Sequence, residues 1–353
     1  MKLIRHNIFY YIFLLIFCGI IYAYGQIAVI PLIDQYSSDT PYGHIANFHD
    51  HLQYTAISPE YISDYGVNIS TLNVFGIGSI YFLISAYLVN FDVIEISYFL
   101  NLVAVIFSGL FHRKVCHILG LSNSSSYLFF LNLPIIYYSQ LVGKDVIFIA
   151  LLYAMLYAYL SERYILVMAI GLLGVFVRVQ FPLYAIFLVF IQCIGSAKRS
   201  TYIFLYVITS LLGAYAMNHS GAIGDYNDLE AGVTSIVYKI NEYVPIGNLL
   251  LNPVRLIQNI LLFSNAPIVG LFTGNVFYIL MTPMVLYIVL HFTSLRFLIK
   301  GRSNKISQFV VVAILVLLIY PIINTRYIAL LAPFIILALA YTKKIRSRIA
   351  TST

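Results

Sequence analysis

Charge is what this sequence has least of. Only 9% of its 353 residues are Asp, Glu, Lys or Arg, against 61% that are hydrophobic. A soluble domain carries about 25% charged residues, and a water-soluble fold of this size could not cover its surface with so few. Tryptophan is absent, and cysteine occurs three times, as Cys18, Cys116 and Cys193. These lie in or beside apolar runs with no metal-ligand spacing, so they read as small buried hydrophobes and not as a disulfide framework. There is no Walker loop, no dinucleotide-binding glycine fingerprint, no His-Glu-x-x-His and no Gly-x-Ser-x-Gly. Their absence excludes a soluble nucleotide-driven engine, and no cofactor is expected.

Long apolar runs are present instead. Residues 8–30, 202–217, 277–292 and 309–323 are nearly uncharged, and most approach the roughly 20 residues that span a bilayer. The first run is too long for a cleaved signal peptide and lacks a small-residue cleavage site, so it is expected to stay as the first span. The 31 Tyr and 25 Phe read first as interfacial belts, although such rings also stack on sugars. The fold expected is all-α: a single polytopic membrane domain over residues 1–353 with about ten to eleven apolar helices.

The charges are sorted along the chain. Fifteen of the 20 Lys and Arg fall in clusters at the ends of apolar runs: Lys2 and Arg5; Arg113 and Lys114; Arg163; Lys198 and Arg199; Arg296 to Lys305; Lys343 to Arg348. Short basic loops resist translocation, which places these in the cytoplasm. The net charge of +7 is therefore an orientation signal, and nucleic acid is not an expected partner. Most acidic residues fall elsewhere, in a first loop at about 31–73 that has no Lys or Arg, in a second at about 218–267, and as Asp92 and Glu95 in a short connection; Glu162 alone falls with the basic clusters, and Asp145 sits beside Lys144. Both loops are expected outside, with a cytoplasmic tail at about 343–353.

Between these markers the chain is expected to cross at 8–30, to come out by one short span ending near Tyr138, and to turn outside at 143–145. It returns over 146–160, makes two short helices over 164–195 with 178–182 at the outer turn, and leaves again over 201–217. Pro253 to Phe263 reads as an amphipathic helix lying on the membrane, followed by spans at about 270–292, 307–323 and 327–342. One conflict remains. Residues 74–90 and 96–112 look like two spans, whereas the charges require an odd number of crossings before Arg113.

This arrangement gathers Lys144, Asp145, Arg178 and Arg326 at the outer face. Ionisable residues at membrane depth are costly and face a cavity or a partner. Fixed cations in a partly dry site suit a phosphate or pyrophosphate, and a helix starting at Asp145 turns its positive end toward the same place. Plainer roles exist for each residue: Asp145 as a helix cap, Lys144 reaching for headgroups, Arg178 paired with an acid, Arg326 as an interfacial anchor. In the first loop, Asp39 and Asp50 are candidate general bases, and Tyr42 and His44 candidate substrate contacts. Side chains of the adjacent His49, Asp50 and His51 diverge, so no metal site is expected from them, and ordinary solvated surface is the plainer reading of this loop.

Four stretches carry a family resemblance. Asp39-Thr-Pro-Tyr-Gly-His-Ile-Ala46 is similar to the acidic first loop of GT-C glycosyltransferases, with Thr40 where their second acid stands. Tyr138-Ser-Gln-Leu-Val-Gly-Lys-Asp145 looks like a turn common in polysaccharide polymerases. Arg178-Val-Gln-Phe-Pro182 resembles their arginine at an outer turn, and Arg326-Tyr-Ile-Ala-Leu-Leu-Ala-Pro333 resembles the start of a late span in both groups. The chain thus resembles the bacterial O-antigen and capsular polysaccharide polymerases. The resemblance implies a multi-pass enzyme of the bacterial inner membrane that joins undecaprenyl-pyrophosphate-linked oligosaccharides among membrane lipids, alongside a chain-length regulator and a flippase. It implies Asp39, Asp50 and Arg178 as catalytic residues, and Lys144, Asp145, Arg326, Tyr42 and His44 as substrate-binding residues. Two other readings stay open: a GT-C transferase using a polyprenyl-phosphate sugar, and a lipid-linked oligosaccharide transporter.

Overall fold

The computed structural model describes residues 2–29, 93–140, 143–195, 198–219, 233–244, 246–291, 304–319 and 325–352. Asp39, Tyr42, His44 and Asp50 lie outside these residues, as does the stretch 74–90. All regular elements among the described residues are helical, and four helices are long and apolar enough to cross a membrane: Ile8–Ala28, Ile96–Ile118, Gly247–Thr273 and Thr325–Ser347.

Helix α1 (Lys2–Tyr24) ends in a π turn over Gly25–Val29 and packs antiparallel to α2 (Val93–Ile118). Two contacts set this direction. Tyr10 Oη donates to the carbonyl of Gly109 at 2.7 Å, while a Cβ on Gly25 would lie 2.5 Å from the Tyr98 ring. The chain therefore leaves α1 and enters α2 at the same end of the bundle. From there α2 leads to Arg113 at the other end, while residues 74–90, the other half of the crossing conflict, lie outside the described residues.

The return from the basic loop is not one helix. It is a 3-10 segment (Asn123–Leu131), a break at Asn132 and the short α3 (Pro134–Tyr138). Then come α4 (Asp145–Leu160), α5 (Tyr164–Leu173) and α6 (Phe181–Cys193). The expected pair of short helices over 164–195 is thus found, with its turn at Arg178. Helix α7 is Arg199–His219, α8 Val233–Tyr243, α9 Gly247–Thr273, α10 Val276–Leu290, α11 Lys305–Leu317 and α12 Thr325–Ser352.

Among the described residues, Arg113, Lys305 and Lys344 of three basic clusters lie at one end. Lys305 donates to Glu162 at 2.7 Å, joining the start of α11 to the α4–α5 turn. That hydrogen bond holds the exposed Glu162 carboxyl below its ordinary range. Its small stabilisation is therefore present above the usual glutamate pKa and fades as the pH falls through the lowered value. Lys344 of α12 donates to the carbonyls of Leu119 and Gly120 at the end of α2. A buried knot of Tyr159, Gln192 and Gln308 ties α4, α6 and α11 just inside this end, with Gln192 2.6 Å from Tyr159 Oη and 2.9 Å from Gln308.

Helix α9 departs from expectation. The segment 253–263 is the middle of one 27-residue helix that contains Pro253 and Pro267, and the following helix is shorter than the expected 270–292. The two ends of α9 pack on different helices. Asn252 Nδ2 donates to Ser210 Oγ at 3.0 Å, and Gly213 lets Asn248 and Ile319 close in on α7. At the other end, Phe263 and Ala266 pack on Ile328, Ala329 and Ala332 near the start of α12, and a Cβ on Gly270 would lie 2.8 Å from Ile279 N. The faces of α9 are inverted relative to a water-soluble protein. Asn248, Asn252, Arg255 and Asn259 are buried, at a spacing of 4, 3 and 4, whereas Leu271 and Phe272 are 81% and 88% exposed. Such a helix is stable only where its outer face meets an apolar medium.

Candidate functional site

The site begins where α3 stops. Ser139 Oγ turns back to the carbonyl of Ile135 at 2.6 Å, and Gln140 Nε2 donates to that of Ile136. These side chains occupy acceptors at the end of α3, and α2 holds the turn in place. Tyr98 Oη donates to Gln140 Oε1 at 3.0 Å, and Asn101 Nδ2 to the carbonyl of Ser139 at 3.2 Å. The chain restarts as α4 at Asp145, which sits in the first helical turn and is 3% exposed.

Both oxygens of that carboxylate are taken. Arg178 Nη2 donates to Oδ1 at 2.7 Å, and Arg326 Nε donates to Oδ2 at 2.6 Å, with its Nη2 on the same oxygen. Three elements far apart in sequence, α4, the α5–α6 turn and the start of α12, are joined through one acid. The Arg178 guanidinium also lies 4.6 Å from the Phe148 ring centroid and 5.2 Å from that of Tyr327. Delocalised guanidinium charge favours such stacking.

The backbone sets this turn. Arg178 N donates to the carbonyl of Gly174 at 2.9 Å. Gly174 has no room for a side chain, since a Cβ there would lie 2.3 Å from Cγ of Phe181, a fully buried ring that packs edge-on against Phe148. Gly174→Ala is expected to displace that ring, and with it the platform under Arg178. A loss of about 1–3 kcal/mol, as for overpacked cores, should show in thermal unfolding of the purified protein. An unchanged melting temperature would refute the close approach.

The chain matches no model of a known protein family, no curated protein and no solved structure. Its chemistry is therefore read from the site alone.

The structure brings together Asp145, Arg178 and Arg326 of the expected residues, with Lys144 next to Asp145 in the chain. It also assigns them different positions. Arg178 is 5% exposed and is held by Asp145 and two rings. The Arg326 side chain is 16% exposed, and Lys144 is half-buried. Asp145, expected to contact substrate, has both oxygens on guanidinium groups and serves as the anchor that places the cations. Three formal positive charges surround one negative charge at the start of a helix, a combination that attracts anions.

Sequence reasoning missed part of this neighbourhood. Tyr138 Oη and Gln180 Oε1 are buried and have no hydrogen-bond partner among the described residues. A cavity of about 20 Å³, lined by Phe148, Arg178, Gln180, Tyr184 and Tyr327 among others, is large enough for a single water. The available signals were Phe148, one helical turn after Asp145, and Tyr327, beside Arg326. Among the described residues no group of His, Cys, Asp or Glu is arranged to hold a metal ion.

Proposed function

We propose that this protein is a surface-polysaccharide polymerase that joins undecaprenyl-pyrophosphate-linked repeat units at the outer face of the bacterial inner membrane. The observation that supports this reading best is the buried Asp145 carboxylate holding Arg178 and Arg326 at the bundle end opposite the basic clusters. By the positive-inside rule that end faces away from the cytoplasm. Paired guanidiniums and Lys144 suit a pyrophosphate, whose charge grows as it leaves. In this reaction the acceptor hydroxyl attacks the anomeric carbon of the donor sugar. A new C–O bond forms, the bond from that carbon to pyrophosphate breaks, and Asp39 or Asp50 takes the hydroxyl proton. Undecaprenyl pyrophosphate departs, held by Arg326 and Lys144, with Arg178 as their positioning residue. Tyr42 and His44 are assigned to the sugar.

Deletion of the gene followed by gel analysis of the surface polysaccharide tests this reading. A polymerase leaves core plus a single repeat unit where the ladder was. An unchanged ladder sinks the proposal. A ladder whose every band shifts by one sugar points instead to a GT-C transferase.

One observation favours the transport alternative: a buried polar stripe of Ser97, Asn101, Ser108 and His112 along α2. Accumulation of complete repeat units on the cytoplasmic leaflet of the deletion strain would mark that activity.

A further inference from the structure

The basic end of the bundle carries a second cationic site, away from the Asp145 cluster. Two clefts open there on either side of the Gly120–Ser122 turn. One, of about 510 Å³, is lined by Tyr11, Leu110, Arg113, Lys114, His117 and Ser126 among others. The second, of about 730 Å³, is lined by Leu128, Tyr287, Ala340, Lys343, Lys344 and Ser124 among others. They share Gly120, Leu121 and Ser122 as a common wall. Among the described residues, neither cleft is lined by an Asp or Glu.

The cations are held in place. The Arg113 guanidinium lies 4.9 Å from the ring centroid of Tyr10 and 5.1 Å from that of Tyr11. Lys114 stands over Phe111 and Tyr157, at 5.4 and 5.5 Å. Lys344 is fixed on the carbonyls that close α2. Gly120 takes the left-handed conformation, with φ +58°, which turns the chain out of α2 and brings the hydroxyls of Ser122, Ser124 and Ser125 together. Hydroxyl donors beside ordered cations are phosphate-recognition chemistry.

We propose that these clefts bind the phosphodiester headgroup of an anionic phospholipid of the cytoplasmic leaflet. A lipid fits better than a soluble phosphate because the clefts are also apolar. Tyr11 and Leu110 line one and Leu128, Tyr287 and Ala340 the other. Next to them, Phe9, Ile12, Phe13 and Ile16 form an exposed apolar face on α1, where acyl chains can lie. Basic pockets between helices on this side of a membrane suit such headgroups. The site does not depend on the reaction proposed above.

The test uses the full chain, purified with mixed phosphatidylcholine and phosphatidylglycerol, and counts retained lipids by native mass spectrometry. Phosphatidylglycerol should be retained in preference to phosphatidylcholine. Lys114→Gln and Lys343→Gln, both exposed and outside the proposed catalytic site, should each lower that preference about fivefold, as expected for a cation at an anionic surface. Thermal unfolding in pure phosphatidylcholine confirms that the variants fold; should either fail, the other carries the test. Equal retention of the two lipids, or a preference unchanged in the variants, overturns the proposal. Inorganic phosphate that displaces the lipid and stabilises the protein by itself would also overturn it, pointing to a soluble phosphate compound.

Discussion

Asp145→Asn is expected to be the most damaging single substitution in this protein. It removes the carboxylate that two guanidiniums share, and it leaves Arg178, 5% exposed, with a neutral amide in place of that counter-ion. Removing one partner of a buried ion pair costs about 3–5 kcal/mol, because a charge is left in a medium that solvates it poorly. Thermal unfolding in detergent should show a large drop and expression should fall. A variant as stable as the parent would mean that water reaches the cluster freely. The counter-experiment is to remove all three charges together, as Asp145→Leu with Arg178→Met and Arg326→Met. Replacing a whole buried ionic cluster by apolar residues is often neutral or stabilising, so stability should return. Polysaccharide polymerisation should not. That split separates a cluster kept for folding from one kept for anion chemistry. Activity in the triple variant would remove these residues from the mechanism.

Arg326→Ala should instead lower activity steeply while the protein still folds. Arg326 is the more exposed of the two arginines, and its loss leaves a neutral Asp145–Arg178 pair. No buried charge is stranded, so protein level should stay near that of the parent. A donor aimed at charge that develops in the transition state contributes about 10²–10³-fold to rate, and a decrease of that size in polysaccharide chain synthesis is expected. Arg326→Lys keeps the charge but not the fork that reaches both the acid and an anion, so it should recover only part of the rate. Full activity in Arg326→Ala would leave the cluster a structural tie between α4, the Arg178 turn and α12.

Much of the layout was legible along the chain because the bilayer is a simple selector. Runs that avoid charge become apolar helices, and basic loops stay on one side. Hence Arg113, Lys305 and Lys344 were expected together and are found at one end, and the 164–195 stretch divides at Arg178 as its proline and arginine indicated. Three features were not legible, each for its own reason. The direction of α2 depended on its antiparallel packing against α1, which Tyr10–Gly109 and Gly25–Tyr98 establish between residues far apart in sequence. The length of α9 was hidden because Pro253 and Pro267 lie inside it, where proline more often ends a helix. The assignment of roles within the cluster depended on burial.

The sequence by itself determined that this chain is made for an apolar medium, since it has only a 9% share of charged residues to cover a surface, and its long uncharged runs pointed to helices. It also marked Lys144, Asp145, Arg178 and Arg326 as the polar residues that apolar helices would not carry without cause. Only the tertiary structure decided that Asp145 is the shared anchor of Arg178 and Arg326. Residues separated by 33 and 181 positions share no periodicity that a reader can follow. Their meeting is a consequence of helix packing, and desolvation then makes the pairing obligatory, because either arginine buried without that carboxylate would be too costly to keep.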